Sequence, residues 1–206
     1  MVLITIEGID GSGKSSLITS LKENLQDLCP VFTREPGSTW IGDQVRRAIS
    51  EEMDPVTEAL LFAADHAAHV QQLIRPCLQE GKLVISDRYS DSRYAYQPAL
   101  LEGIIDQPLE WLRALHDGWT IPPDRTFLFV LPVSVAHERM REKGKREHLE
   151  HPDLLEKVQK NYLALAEAEP SRFVLVDATE ERDEIAAFVA GSIRDFYERS
   201  RSRRQR

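Results

Sequence analysis

The chain has 206 residues, of which 42 % are hydrophobic and 29 % are charged, and this balance is typical of a single soluble globular domain. No apolar run approaches the roughly 20 residues that cross a bilayer, and no basic segment precedes the first apolar run, so neither a membrane anchor nor a signal peptide is expected. The net charge is −8; the last nine residues carry five Arg and one Glu (+4), which leaves −12 on the rest (−8 − 4) and argues against a nucleic-acid-binding surface.

The termini and the cysteines add two expectations. Residues 198–206 are rich in Ser and Arg, which predicts a basic, disordered tail after a domain that spans residues 1–197. Cys29 and Cys77 form no C-x-x-C pattern, and two free thiols indicate a cytoplasmic protein.

The first predicted element is a short, β-branched apolar strand, Val2–Ile6. The pattern G-x-x-x-x-G-K-S follows over residues 8–15, and a helical segment comes directly after it. Inward-facing backbone N–H groups and a helix N-terminus make such a loop a cradle for phosphate oxygens. Lys14 adds a charge for the β- and γ-phosphates, and the Ser15 hydroxyl suits Mg²⁺. The residues predicted to bind the nucleoside triphosphate are Gly8, Ile9, Asp10, Gly11, Ser12, Gly13, Lys14, Ser15 and Ser16.

The next elements are a short strand, a Pro-Gly turn and two helices. Residues 31–33 predict the strand, and residues 40–50 can form the first helix. Asp54 and Pro55 are typical of the start of a long helix, whose apolar positions nearly encircle it and predict a central location. Pro76 is expected to kink this helix, and Gly81 to end it.

Three further strands are predicted at residues 83–85, 126–131 and 173–176, with helices between them. Apolar strands that alternate with helices indicate a single-domain, three-layer α/β/α fold with a five-stranded parallel sheet, of the phosphate-loop NTPase type. Ligands of such sheets bind beyond the carboxyl ends of the strands. The phosphate loop, Arg34 and the pair Asp87-Arg88 all follow strands, so we expect them to converge in one crevice.

The residues at these strand ends suggest phosphoryl transfer. Asp87 can hold Mg²⁺ through water, although an ordinary surface pair with Arg88 is the alternative. Arg34 and Arg88 together provide more guanidinium groups than one triphosphate needs, which points to a second phosphorylated ligand and hence to a kinase. Alternatively, Arg34 is a surface residue that happens to follow a strand.

Arg139, Arg141, Lys143, Lys145 and Arg146 form a basic cluster in and before a charged segment that predicts a mobile loop. Such a loop can close over phosphates and stabilise charge in the transition state. Interleaved glutamates equally allow a solvated helix face, and composition alone leaves both interpretations open.

Three residues of the long helix have more than one possible role. His66 and His69 can share one helix face, but no clear set of further ligands accompanies them, so a metal site is not predicted. Phe62 lies one turn earlier and suits either a core position or a stacking platform.

Across nearly its full length the chain resembles the thymidylate kinase family. Besides the loop, the matching stretches are residues 33–39, 57–66, 87–97, 123–126 and 176–178. The resemblance implies the reaction ATP + dTMP → ADP + dTDP with Mg²⁺, and a homodimer. The long helix that begins at Pro55 could supply the interface, although burial in the core explains its apolar positions equally well. Composition and charge predict that neither a membrane nor nucleic acid is a partner of this cytoplasmic protein.

The resemblance also implies roles for individual residues. Asp10 would bind the 3′-hydroxyl of dTMP, Arg34 and Arg88 its phosphate, Phe62 would stack on thymine, and Tyr96 would lie under the deoxyribose. Mg²⁺ would be held at Ser15 and Asp87.

Members of the family differ in the source of their catalytic arginines. Gly11 stands where one group has Arg, so this chain resembles the group whose arginines come from a lid, here expected at about residues 140–152. Lys14, Arg88 and, as the first candidate from the lid, Arg146 are the expected catalytic residues.

Two departures lie where the base is recognised. His66 stands where the family usually has Arg, and Arg93 where it usually has a small residue. We hypothesise a compensating exchange in which Arg93 or His66 serves the 4-oxo group. The alternatives are a kinase for another nucleoside monophosphate such as dUMP, or a non-catalytic nucleotide-binding module. The sequence has no N-K-x-D of a GTPase and no L-S-G-G of an ABC-type ATPase, and it retains Lys14 and Asp87-Arg88.

Overall fold

The computed structural model describes residues 1–141 and 148–202, and its centre is a five-stranded, all-parallel sheet. The strand order is β2-β3-β1-β4-β5, so the strand that leads into the phosphate loop lies in the middle. All seven residues of β1 are buried, because helices cover both faces of the sheet. The predicted fold class is confirmed. The strands are β1 (Val2–Gly8), β2 (Val31–Arg34), β3 (Leu83–Asp87), β4 (Arg125–Val130) and β5 (Phe173–Asp177).

The helices connect the strands and pack in pairs, α1 against α9 and α5 against α8. Their bounds are α1 (Lys14–Asn24), α2 (Trp40–Ser50), α3 (Pro55–His69), α4 (Arg75–Gln79), α5 (Ser90–Leu100), α6 (Pro108–His116), α7 (Val133–Arg141), α8 (Pro152–Ala168) and α9 (Arg182–Ser202). Short 3₁₀ turns occur at Gln26–Leu28 and His148–Glu150.

Two of the helix starts are explained by their caps. The Thr39 hydroxyl accepts hydrogen bonds from the backbone N–H groups of Ile41 and Gly42, which begins α2 at the predicted residue. The Asp54 carboxylate accepts from the backbone N–H of Thr57 at 3.0 Å, and Pro55 occupies the first position of α3.

The long helix is interrupted one turn before Pro76. Residues Val70–Ile74 form a π-helical turn between α3 and α4, and Pro76 lies in the first turn of α4. A proline ring collides with the carbonyl four residues earlier, so the disturbance that was predicted at Pro76 appears on its N-terminal side.

Four further observations bear on the sequence expectations. The long helix is not buried all round, because 47 % of Leu60 is exposed. Helix α9 continues to Ser202, so residues 198–202 are helical and the predicted disordered tail is wrong there; residues 203–206 lie outside the described part of the chain. Cys29 and Cys77 are both free. No helix in the described part of the chain combines the length and the apolar character that crossing a membrane requires.

Candidate functional site

The phosphate loop closes around its own lysine. Lys14 Nζ donates hydrogen bonds to the carbonyl oxygens of Gly8 (2.9 Å) and Ile9 (2.8 Å) and to Ser12 Oγ (3.3 Å). Burial and the nearby Arg88 guanidinium lower the pKa of Lys14 to about 8, partly offset by Asp10 and Asp87. The ammonium group is therefore held inside the loop by acceptors from the loop itself.

Gly11 leaves no room for a side chain. Its backbone has φ +79°, and a Cβ at this position would lie 2.4 Å from the carbonyl oxygen of Ala136 in α7. One group of the family that this chain resembles carries an arginine at this position. Here such a side chain would collide with α7. The close approach of α7 to the loop thus fits a glycine at position 11 and leaves no space for an arginine.

The strand register brings the predicted strand-end residues together. Asp87 pairs with Ile6 on one side and with Arg34 on the other, so β1, β2 and β3 end at the same edge of the sheet. The predicted convergence of the loop, Arg34 and Asp87-Arg88 is what the structure has.

A cavity of about 270 Å³ opens at this edge. We call it the acceptor cavity. Most of the predicted substrate residues line it, and the side chain of His66 does not. The predicted residues in its wall are Asp10, Arg34, Phe62, Asp87, Arg88, Arg93 and Tyr96.

Asp10 and Arg88 form the charged centre of this cavity. Nη2 of Arg88 lies 2.5 Å from Asp10 Oδ1, and the Tyr96 hydroxyl donates to Asp10 Oδ2 at 2.8 Å. Burial alone would raise the pKa of Asp10, but Arg88 and Lys14 lower it to about 2. The Arg88 guanidinium also lies 5.1 Å from the centre of the Tyr96 ring. Asp10 is therefore an ionised carboxylate that fixes both an arginine and a tyrosine.

A second carboxylate supports Arg88 from behind. Arg88 has a left-handed backbone conformation (φ +65°), which is uncommon in residues other than glycine. Its Nη1 donates to Ser92 Oγ at 3.2 Å, and Ser92 in turn donates to Glu7 Oε2 at 2.6 Å. The Tyr162 hydroxyl donates to the same Glu7 oxygen at 2.7 Å. Burial, reinforced by Asp91, raises the pKa of Glu7 to about 7.

A third carboxylate, Glu35, organises the wall next to Phe62. It is fully enclosed and accepts hydrogen bonds from Arg93 Nη2, from His66 Nδ1 (2.9 Å) and from His69 Nδ1 (2.5 Å). Burial would raise the pKa of Glu35, but Arg93 and His66 hold it well below its usual range.

This arrangement corrects the expectation that His66 contacts the substrate. The His66 side chain is 0 % exposed, and its second nitrogen, Nε2, lies 3.3 Å from Thr120 Oγ1. Both ring nitrogens are therefore occupied by protein groups behind the cavity wall. Of the two residues in the hypothesised exchange, the structure brings only Arg93 to the cavity.

A second, larger groove of about 540 Å³ lies on the other side of the phosphate loop. We call it the donor groove. The loop contributes Gly11, Ser12, Gly13 and Ser16 to its wall. The opposite wall includes Arg139, whose Nη1 donates to the carbonyl oxygen of Ala178 at 3.0 Å. This groove suits the nucleoside part of a triphosphate whose phosphates lie in the loop.

The predicted basic cluster is only partly described. Arg139 and Arg141 belong to α7, whereas Lys143, Lys145 and Arg146 lie outside the described residues, as do all of residues 142–147 of the predicted lid. Leu149, just after that segment, lines the acceptor cavity.

The predicted magnesium ligands come from two neighbouring elements. Ser15 is exposed in the first turn of α1, and Asp87 lines the acceptor cavity at the end of β3. Within residues 1–141 and 148–202, no group of three or more His, Cys, Asp or Glu side chains forms a metal site. One hydroxyl and one carboxylate fit Mg²⁺, which is commonly held by one or two protein oxygens with water and substrate phosphates.

Several residues of the site were not singled out from the sequence. Glu35 and Gln97 lay within the family-like stretches but had no assigned role, and Ile49 and Leu149 reach the acceptor cavity only through the packing of α2 and the 3₁₀ turn. A buried acidic residue directly after a strand, with two histidines and an arginine elsewhere, was the available signal for the Glu35 cluster.

The chain was compared with known proteins. A family model described as thymidylate kinase matches residues 6–189. A probable thymidylate kinase from Methanoculleus marisnigri is 61 % identical over 202 residues, covering 98 % of both chains. Proteins of the same description from Methanospirillum hungatei (54 % identity, 94 % of both chains) and Natronomonas pharaonis (44 % identity, 96 % of this chain and 100 % of the relative) are also similar.

Proposed function

Because the chain belongs to the thymidylate kinase family, we propose that its two cavities carry out one reaction, the direct transfer of the γ-phosphoryl group of ATP to the phosphate of dTMP. The observation that carries this proposal is the Asp10–Arg88 pair. It joins a residue of the phosphate loop to the wall of the acceptor cavity, at the boundary between the two binding spaces. A nucleotide-binding module without transfer would not need a second charged cavity at this point.

The acceptor cavity is suited to dTMP. Arg34 and Arg88 bind its phosphate with two guanidinium groups, which match phosphate oxygens in a bidentate manner. Phe62 stacks on the thymine ring from α3. Asp10 accepts a hydrogen bond from the 3′-hydroxyl, and Tyr96, held by Asp10 at 2.8 Å, lies beneath the deoxyribose and disfavours a 2′-hydroxyl.

The donor groove and the loop are suited to ATP. The loop N–H groups and the N-terminus of α1 hold the phosphates, and Lys14 neutralises charge on the β- and γ-phosphates. The adenosine occupies the space between the loop and Arg139.

Ser15 and Asp87 are the residues that would hold Mg²⁺. When bound, the ion supplies charge neutralisation at the phosphate oxygens of the donor. Asp87 is near enough to Lys14 to oppose the lowering of its pKa, which is consistent with both groups facing one phosphate site.

Arg146 and its basic neighbours are proposed to complete the charge around the transferred group. Arg139 lines the donor groove and Leu149 lines the acceptor cavity, so the chain between them connects the two. Gly11 supplies no cation and admits none, since a Cβ there meets Ala136. Closure over the site would also exclude water, which otherwise competes as the acceptor.

Direct transfer needs no covalent intermediate. Arg88 and Arg34 orient the attacking phosphate oxygen, and Lys14 stabilises the charge that develops on the donor side. The rate enhancement then comes from positioning and charge neutralisation.

We also propose a cytoplasmic homodimer. The outer face of α3 carries Leu60 with 47 % of its surface exposed, and burying it against a second copy would remove apolar surface from water. Sedimentation of the purified protein tests this directly, and a monomer at micromolar concentration would contradict it.

The test of the function is ADP release from Mg²⁺–ATP in the presence of dTMP, dUMP, dCMP, dGMP or UMP. We expect dTMP to give the highest kcat/KM. If kcat/KM for dUMP equalled that for dTMP, the proposed base specificity would be wrong and the alternative of a dUMP kinase would be favoured. If no monophosphate stimulated ADP release, the kinase proposal itself would fail.

A further inference from the structure

We propose that Glu35 is a positioning residue for base recognition, which holds the Arg93 guanidinium at the wall of the acceptor cavity so that its remaining N–H groups donate to the 4-oxo group of a pyrimidine nucleotide and oppose a 4-amino group. This inference rests on the proposed seating of dTMP in that cavity.

Arg93 is buried, yet it lines the cavity beside the stacking residue. Only 2 % of Arg93 is exposed, and its Nε donates to the carbonyl oxygen of Phe62 at 3.3 Å. Nη1 donates to the carbonyl oxygen of Tyr89 at 2.7 Å, and Nη2 donates to Glu35. A guanidinium group has five N–H donors, and three find acceptors among the described residues. Two donors remain for a ligand in the plane that these three bonds define.

Glu35 keeps its place independently of Arg93, because two histidines hold the same carboxylate. His66 and His69 each direct Nδ1 at Glu35, and the hydroxyls of Thr120 (3.3 Å) and Thr33 (2.7 Å) lie at the respective Nε2 atoms. The carboxylate accepts at Nδ1, so each ring carries a proton on that nitrogen. The four donors and acceptors come from β2, α3 and the segment before β4, which fixes Glu35 from three sides.

The Glu35–Arg93 pair also determines the charge of the cavity wall beside the base. The Arg93 guanidinium holds the pKa of Glu35 well below its usual range, so an ionised Glu35 balances the charge of Arg93 while the wall next to Phe62 still offers N–H donors. Such a wall suits a neutral ring that carries an acceptor. It leaves a 4-amino group facing N–H donors with no acceptor, which is the kind of mismatch that enzymes reject strongly.

The test compares substrates that differ at position 4 within one enzyme preparation. The substrates are dTMP, 4-thio-dTMP, whose thiocarbonyl is a weaker acceptor, and 5-methyl-dCMP, which carries an amino group. The ratio of kcat/KM values for two substrates is independent of the fraction of folded enzyme. For the wild-type chain we expect dTMP to exceed 5-methyl-dCMP by roughly a hundredfold or more.

In Glu35→Gln the ratio of kcat/KM for dTMP to kcat/KM for each analogue should fall by about tenfold or more, mainly through a higher KM for dTMP. The KM for ATP should stay within about twofold of the wild-type value. Asp65→Asn is the matched control. Asp65 is also a buried carboxylate, it lies on α3 and accepts from Thr39 Oγ1 at 2.5 Å, and it does not line the cavity. Its substitution should leave both ratios unchanged.

A second variant keeps the inference testable if Glu35→Gln does not fold. Arg93→Lys retains a positive charge but has no planar fork that can bind Glu35 and a ligand together, so the ratios should fall as well. If Glu35 acts through Arg93, the double variant should discriminate no worse than Arg93→Lys alone.

Two results would overturn the inference. One is a Glu35→Gln enzyme that loses activity on dTMP and on both analogues by the same factor, because a purely structural role predicts that result. The other is an additive loss of discrimination in the double variant. A wild-type enzyme inactive on every monophosphate would instead refute the proposed function.

Discussion

Asp10 and Arg88 are 78 positions apart in the chain, and Nη2 of Arg88 lies 2.5 Å from Oδ1 of Asp10. One residue belongs to the phosphate loop and the other follows β3, so this ion pair joins the two halves of the site. The Arg88 side chain is 15 % exposed and that of Asp10 is 35 % exposed, so the pair is partly shielded from water, and removing one partner would leave the other charge without its counterion in that setting.

Asp10→Asn should lower kcat/KM for dTMP by about 10- to 100-fold, because Arg88 loses its charged partner and its fixed orientation. Steady-state kinetics with both substrates varied would measure this, and the KM for ATP should change much less. Asp27→Asn is the control, since it removes the acid of an exposed ion pair with Arg194 on another part of the surface. An Asp10→Asn enzyme with wild-type efficiency on dTMP would show that the pair does not organise the acceptor cavity.

Arg34→Ala should weaken the binding of dTMP far more than the binding of ATP. Arg34 lines the acceptor cavity and is absent from the wall of the donor groove, so we expect the KM for dTMP to rise by about tenfold or more and the KM for ATP by about twofold at most. Arg47→Ala provides the matched control, because Arg47 is an exposed arginine paired with Glu51 on α2. Equal losses for the two substrates would argue against Arg34 as a ligand of the acceptor phosphate.

His116 should make the fold sensitive to acid. Burial and the Arg93 charge lower its pKa to about 4, while its Nδ1 donates to the carbonyl oxygen of Leu112 at 2.7 Å. Between pH 6.5 and 4 the unfolded chain therefore binds a proton that the folded chain does not, so stability present above pH 6.5 is lost as the pH falls. The free energy of unfolding should drop by about 1–2 kcal/mol more in the wild-type chain than in His116→Phe when the pH goes from 7.5 to 5.

Urea denaturation at the two pH values measures this difference. Comparing the two proteins cancels the contributions of other titrating groups, including Glu7, whose raised pKa acts in the opposite direction between pH 4.5 and 7. Equal acid sensitivity of the two proteins would rule out His116 as the cause.

Gly11→Ala should destabilise the chain more than Gly81→Ala. The two glycines have nearly the same left-handed φ, +79° and +76°, so both substitutions carry a similar backbone penalty of about 1 kcal/mol. Only the new Cβ at position 11 meets another group, the Ala136 carbonyl oxygen at 2.4 Å, whereas nothing lies within 4 Å at Gly81. The collision should add about 1–3 kcal/mol. Unfolding free energies of the two variants measure the difference, and equal values would mean that α7 moves aside without penalty.

Local sequence signals were sufficient for most of the fold. The bounds of α2 were predicted to the residue, because the Thr39 cap and the apolar spacing act within one or two turns. The parallel sheet followed from strands that are apolar on both faces. The position of the π turn was missed because Pro76 disturbs the turn before it rather than its own position. The continuation of α9 to Ser202 was missed because a Ser- and Arg-rich composition predicts disorder.

The site was predictable in part for the same reason. Arg34, Asp87 and Arg88 follow strands, and the common edge of parallel strands brings them together. The expected role of His66 was wrong because nothing local shows that Glu35, 31 residues away, closes over its ring. Sequence spacing shows which residues share a helix face, but it does not show which of them a buried carboxylate will occupy.

Arg139 and Leu149 are ten residues apart, and each lines a different cavity. A short covalent connection between two binding spaces has a thermodynamic consequence. If occupation of the acceptor cavity changes the affinity for ATP through this connection, ATP must change the affinity for dTMP by the same factor, because binding free energies around a closed cycle are reciprocal. Calorimetric titrations of each nucleotide, with and without a non-reactive form of the other, would provide two independent measurements of the same coupling free energy.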